Sequence, residues 1–321
     1  MIKILVACTA LCAAAIALAQ TPGTVADWAA VPAHAWAAPT HMMLMDATRA
    51  GKRIVAVGEH GLVLLSDDDG KSFRQAHAVP NSATLSAVRF TDEHHGWAVG
   101  QWGTILATSD GGETWQKQRM DTSVDQPLFS VIFTSPQDGI AVGLWSLMLV
   151  THDGGKTWSK QTLPKPPGGG KADRNLYHIF SDGKHALYIV SEQGTVLKST
   201  DGGANWTYGA TGGKGTLWTG VVLPDGKVVV AGLLGSMFQS TDGGGSWTPV
   251  SSGTKSSITE LFVNDGRLAG VGLDGLVLQQ KADGTSFDVT QREDRATMTA
   301  SLTNAAGKTI LFAREGVLAE H

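Results

Sequence analysis

Five aspartates recur in one local setting. Asp68, Asp110, Asp153, Asp201 and Asp242 each lie two places after a Ser or Thr, two before a Gly and five before an aromatic, in SDDDGKSF, TSDGGETW, THDGGKTW, STDGGANW and STDGGGSW. A carboxylate so placed can accept hydrogen bonds from the N–H groups of its own turn, while glycine supplies positive φ. Calcium is the other chemistry open to it. That ion takes six or more oxygens, and one aspartate followed by glycines offers too few. The expected role is structural, with no metal and no cofactor. A sixth copy, QKADGTSF, carries Ala282 where the aspartate would stand.

Other reactive groups are sparse. Both cysteines, Cys8 and Cys12, lie in the N-terminal apolar stretch, so the rest of the chain has no thiol for a disulfide, a metal or covalent catalysis. The pair His94-His95, beside Asp92 and Glu93, reads as a solvated turn rather than a metal site. GVGLDG (270–275) has dinucleotide-loop spacing but no helix after it, and GGGK (168–171) lacks the remainder of a phosphate loop. Residues 1–19 read as a secretory signal, with Lys3, an apolar run from Ile4 to Leu18 and a small-x-small site before Gln20. Leu5-Val6-Ala7-Cys8 resembles a lipoprotein signal, but so few apolar residues precede it that cleavage near Ala19 without lipidation is expected. Without Lys3 the chain has 24 Lys plus Arg against 29 Asp plus Glu, a net charge of −5 without long runs, so nucleic acid is not an expected partner.

What positions the aspartates is a repeat. A second line precedes the first: VGEHGLVL, VGQWGTIL, VGLWSLML, VSEQGTVL, AGLLGSMF, VGLDGLVL and FAREGVLA, whose second residues fall at 58, 100, 143, 191, 232, 272 and 313, a spacing of about 42. Within each unit short β-prone runs alternate with turn residues, and no helical period is sustained. Four short strands per unit, seven times over, predict an all-β fold: a seven-bladed β-propeller with four-stranded blades, one domain over 20–321. The seventh unit stops after its third strand. ADWAAVPA (26–33) resembles the outer strands elsewhere, so the last blade is expected to be closed by an N-terminal strand.

The first line resembles the Asp-box, or bacterial neuraminidase repeat. The two lines together, above all GWAVGQWGTILATSDGGETW (96–115), resemble the photosystem II stability and assembly factor family over about residues 26–321. That resemblance implies a propeller that assists assembly of membrane complexes without catalysing a reaction. Photosynthetic members rely on an arginine-rich patch, whereas the arginines here are scattered, which points away from a photosystem partner. Non-photosynthetic relatives suggest an envelope complex, such as a resistance-nodulation-division (RND-type) exporter. Because Asp-box proteins include sialidases, a glycan-binding or glycan-cleaving protein is the alternative. That chemistry needs three converging arginines and a Tyr–Glu nucleophile pair; the chain has three tyrosines, of which only Tyr177 with Glu192 could serve.

Partner-binding residues are expected on the face that carries the Gly-x-x-Gly turns, opposite the aspartate segments. Turn tips are normally polar, yet here they present Trp102, Trp145 and the pair Leu233-Leu234. First-strand positions near the channel mouth add Phe129, Tyr177 and Trp218. The longest connection (160–175) brings Lys171 and Arg174. A protein surface, a glycan ring or a lipid-like ligand would suit such a sector. The expected protein is a periplasmic or secreted monomer that acts as a non-enzymatic binding scaffold.

Overall fold

Alternation of apolar and polar residues over five or six positions, cut by Asp-Gly and Gly-Gly turns, leaves each unit no choice but short antiparallel strands. The computed structural model describes residues 30–318, and there the units form seven antiparallel sheets. In blade 1 the chain runs through Leu44–Ala50, Arg53–Gly58, Val63–Ser66 and Arg74–Gln75, each strand beside the last. Blades 2 to 6 repeat this order with first strands Leu85–Phe90, Leu128–Phe133, Leu176–Ser181, Leu217–Val222 and Ile258–Asn264. Each first strand packs against that of the next blade, and the seventh, Met298–Thr303, against that of the first.

The core lies between blades rather than within them. Seven buried clusters occupy the seven junctions. Trp115 wedges between blades 1 and 2, and Trp206 between blades 3 and 4. Their indole N–H groups donate to Gly112 O and Gly203 O, both at 2.9 Å. The Val-Gly pair of the second line has a steric cause: a Cβ at Gly100 would stand 2.0 Å from Thr84 O, where the first strand enters beneath it. Blade 4 has Ser191 there, and its hydroxyl donates to the corresponding carbonyl, that of Asn175, at 2.8 Å.

The aspartate turns are built as expected. Asp110 accepts from the hydroxyl of Thr108 (2.8 Å) and from Thr114 N (2.9 Å) and Oγ1 (2.6 Å), while Thr108 Oγ1 accepts from Gly112 N (3.0 Å). The same set recurs at Asp68, Asp153, Asp201 and Asp242. Hydrogen bonds from Ser72 hold the Asp68 carboxyl down to about 2, and those from Thr157 do the same for Asp153. The sixth copy corrects the sequence reading: the carboxylate is not lost but moved by one residue. Asp283 accepts from Thr285 N (2.8 Å) and Ser286 N (2.9 Å).

The segment expected to close the last blade is described only from residue 30 onward. Blade 7 has three strands among the described residues, ending with Gly316–Leu318. Of the segment expected to complete it, residues 26–29 lie outside the described residues, as does the signal at 1–19 with its cleavage site. Residues 30–33 form no strand, and Ala33 N donates to Val79 O beyond blade 1. Trp36 then lies 5.9 Å from His60 in the blade 1 turn, and the chain crosses the seam where Thr40 O abuts Gly316. The bonds of Trp36 N and His34 O to the Gln75 side chain anchor residues 34–36 to blade 1.

Candidate functional site

One irregularity, repeated in every blade, shapes the channel mouth. Leu128 pairs with Gly143 and Ser130 with Val142, so Phe129 is an extra residue inserted into the ladder. The same β-bulge falls at Met45, Ser86, Tyr177, Trp218, Thr259 and Thr299. A bulge bends the strand and re-aims one side chain. Here each re-aimed residue lines one cavity of about 190 Å³ at the mouth, on the side of the Gly-x-x-Gly turns. Phe129 and Tyr177 stack with centroids 5.6 Å apart and planes 8° from parallel. Phe129, Tyr177 and Trp218 are thereby brought together, as their alignment in the repeat predicted.

Beneath the bulges the next residue of five first strands ties neighbouring blades together, while Ala87 and Ala300 stand there in blades 2 and 7. Ser130 Oγ accepts from Ile179 N (3.2 Å), Thr219 Oγ1 from Leu261 N (3.0 Å), His178 Nδ1 from Gly220 N (3.3 Å) and Asp46 Oδ2 from Val88 N (2.9 Å). Glu260 Oε2 accepts from the Ser301 hydroxyl at 2.6 Å. Arg89 donates to Asp46. Burial, helped by the Arg89 charge, depresses His178 to about 3, so the imidazole is neutral and free to accept. Asp46, Arg89, His178 and Glu260 all line the cavity, and sequence reasoning missed them. Their signal is a charged or titratable residue interrupting an apolar first strand: LMDATRA, LSAVRF, LYHIFS and ITELFVN.

The turn tips divide. Trp145 and Leu234 are exposed, at 56% and 69% of their surface. Both occupy left-handed backbone, with φ 51° and 55°. That region suits Gly, Asn or Asp and costs a bulky residue about 1 kcal/mol or more, so turn geometry does not explain the choice of side chain. Trp102 shares the conformation (φ 55°) but is half-buried, which corrects its expected status as a bare tip. Leu233 is half-buried too.

The long connection is tethered rather than free along its length. Leu163 is buried against blade 4, Pro164 O accepts from the Tyr208 hydroxyl (3.0 Å), and Asn175 Oδ1 accepts from Trp145 N (3.1 Å). Lys171 is exposed. The Arg174 guanidinium donates to Thr195 Oγ1 and to Gln193 Oε1 (3.2 Å), which fixes its place beside the turn of blade 4.

Glycosidase chemistry finds no constellation. Tyr177 and Glu192 share Asn175, whose Nδ2 lies 2.9 Å from Glu192 Oε1 and 3.4 Å from the tyrosine hydroxyl. Of the arginines, Arg89 alone lines the cavity, and it is already paired with Asp46. Among the described residues no group of three or more His, Cys, Asp or Glu converges as metal ligands.

Fold and mouth together define an Asp-box propeller with a cavity-bearing face around its axis. Residues 75–292 match the family described as photosynthesis system II assembly factor YCF48, and the chain belongs to that family. It is 40% identical over 154 residues to the photosystem II assembly lipoprotein Ycf48 of Picosynechococcus, covering 48% of this chain and 44% of the relative. It is 41% identical over 134 residues to the photosystem II assembly protein Ycf48 of Thermosynechococcus vestitus, covering 41% and 37%. The matched stretch thus spans less than half the length of these relatives, which are named for assembly and not for catalysis. Among solved structures, YCF48 bound to D1 peptide superposes with a TM-score of 0.71 at 16% identity, over 89% of this chain and 94% of that one. The WD40 propeller domain of Doa1 gives 0.67 at 13% identity, over 90% and 95%. At such identities these two likenesses show the fold alone.

Proposed function

We propose that this protein is an exported, non-enzymatic assembly factor whose turn face docks a segment of a membrane protein, with Trp145 and Leu234 as apolar contacts flanking the mouth residues Phe129, Tyr177 and Trp218. The observation that carries this reading is the pair of exposed apolar side chains held in left-handed turn backbone, where polar or glycine residues would be easier to accommodate. Membership of an assembly-factor family supports the role, as do relatives named as assembly lipoproteins. The solved relative described as bound to D1 peptide supports a peptide segment as the kind of partner. An RND-type exporter, suggested by the resemblance to non-photosynthetic members, draws no support from these relatives, and Arg53 and Arg74 meet across blades 1 and 2 on Asp67 and Glu113, each already paired. The partner is accordingly proposed at the level of a membrane-protein segment.

The test is affinity capture from solubilised native membranes with the mature chain and with its Trp145→Ala, Leu234→Ala variant. A membrane protein retained by the first and lost by the second is the expected result. Equal retention by both would place docking elsewhere.

A further inference from the structure

The floor of the channel mouth carries charge that the propeller itself does not need. At two junctions the neutral hydroxyls of Ser130 and Thr219 tie one blade to the next. Asp46 and Glu260 stand at the equivalent place, just after the bulge, and do the same work with carboxyl groups. A carboxyl group in a half-enclosed cavity suffers desolvation that a hydroxyl largely escapes. Asp46 is offset by Arg89 of the next blade. Glu260 has the Ser301 hydroxyl as its hydrogen-bond partner and no ion-pair partner among the described residues.

The wall above is aromatic on the side of blades 4 and 5, where Tyr177 and Trp218 reach the cavity. Its volume, about 190 Å³, exceeds the ~150 Å³ that encloses a benzene-sized guest. Aromatic faces above a carboxyl group that lacks a counter-ion are the complement of an organic cation.

We propose that the channel mouth binds a primary ammonium group, carried by a small amine or by a lysine side chain of a peptide, with Glu260 as counter-ion and Tyr177 and Trp218 as the aromatic wall. This goes beyond the docking role and does not depend on it. The charges facing Glu260 set the proton balance. Burial, reinforced by the Asp46 charge, holds the Glu260 carboxyl up to about 8, against the Ser301 hydrogen bond and Arg89. His178 is neutral, and the Asp46 and Arg89 charges offset each other. The empty site therefore carries no net charge at pH 7. An entering ammonium keeps its three protons, and Glu260 releases its own to solvent. Affinity rises with pH by up to about tenfold per unit until Glu260 is ionised in the empty protein, then levels, and falls again near ~10 as the amine itself deprotonates.

The experiment is calorimetric titration of the mature chain with n-butylammonium and with a blocked Ala-Lys-Ala peptide, each in two buffers of different ionisation heat, at pH 6, 7 and 8. Saturable binding with close to one proton released at pH 7, and roughly tenfold tighter at pH 7 than at pH 6, is expected. The Glu260→Gln variant keeps an acceptor for Ser301, so it should melt no lower than the parent while losing both the proton release and the pH dependence. Binding of the amine but not the peptide assigns the site to small ligands; much tighter binding of the peptide assigns it to a lysine side chain. Equal binding of n-butanol or of a norleucine peptide, no saturation with either cation at ~10 mM, or an unchanged pH profile in Glu260→Gln would each overturn the proposal.

Discussion

Two tryptophans of neighbouring repeats should respond very unequally to truncation. Trp115 is 4% exposed and sits among Val55, Leu65, Val79, Ala98 and Leu106, edge-on to Phe90 at 6.2 Å. Taking ~200 Å² of buried ring at ~25 cal/mol per Å² gives about 5 kcal/mol as an upper value. The retained Cβ and partial collapse of the site reduce that, and the bond to Gly112 O adds about 1, so Trp115→Ala should cost about 4 kcal/mol. In a chain of this size that is a fall in Tm on the order of 8–15 °C. Trp145, more than half exposed, should cost about 0.5 kcal/mol or less, under about 2 °C. Melting both variants by circular dichroism, in the same buffer as the parent, decides the matter. If Trp145→Ala falls as far as Trp115→Ala, the turn tip belongs to the core and the docking surface is lost. If Trp115→Ala melts within about 3 °C of the parent, the wedge does not hold blades 1 and 2 together.

Trp145→Gly should raise stability by about 0.5–1 kcal/mol in urea unfolding, because glycine removes the left-handed backbone cost at φ 51°, while partner capture falls. Thr108→Val leaves Gly112 N and Asp110 without the hydroxyl between them and should cost about 1–3 kcal/mol by the same measurement. The aspartate turns should set an acid limit. Asp68 and Asp153 are held near 2 in the fold against 3.8 unfolded, so their contribution is complete above about pH 4 and is lost as pH falls towards 2; an Asp153→Ala variant should show a shallower fall of Tm over that interval. Glu260 has the opposite sign: raised from 4.5 to about 8, it destabilises the fold progressively as pH rises through that window. Glu260→Gln should therefore gain Tm over the parent at pH 8 and match it at pH 4.

The repeat made the architecture legible because blade wedges, turn aspartates and the Val-Gly pair each answer a steric or hydrogen-bonding demand local to some twenty residues. The path of residues 30–33 was not legible. Whether ADWAAVPA pairs with the last blade depends on contacts across the whole chain, and a short apolar alternation fits a strand or a tethered coil equally well. Asp283 escaped notice because the turn demands an acceptor in space, which a neighbour one residue on can supply. The channel mouth was half legible. Register comparison aligned Phe129, Tyr177 and Trp218, but the bulge that sends them into the cavity leaves no mark in an alternating pattern, and the tie residues beneath differ in chemistry from blade to blade. Exposure at the tips was the least legible, since Trp102 and Trp145 share a motif and differ only in what neighbours cover them.

The seven bulges carry a consequence for how such a ring diversifies. An inserted residue belongs to neither face of its sheet, so exchanging its side chain leaves the flanking pairs, Leu128 with Gly143 and Ser130 with Val142 in blade 3, in register. The mouth is therefore a row of seven positions set in one frame, of which Thr259 and Thr299 also donate to Met298 O and Leu44 O of the next blade. Here it reads Met, Ser, Phe, Tyr, Trp, Thr, Thr. Paralogues that keep the same blades can spell another word there while the ladder beneath stays in register.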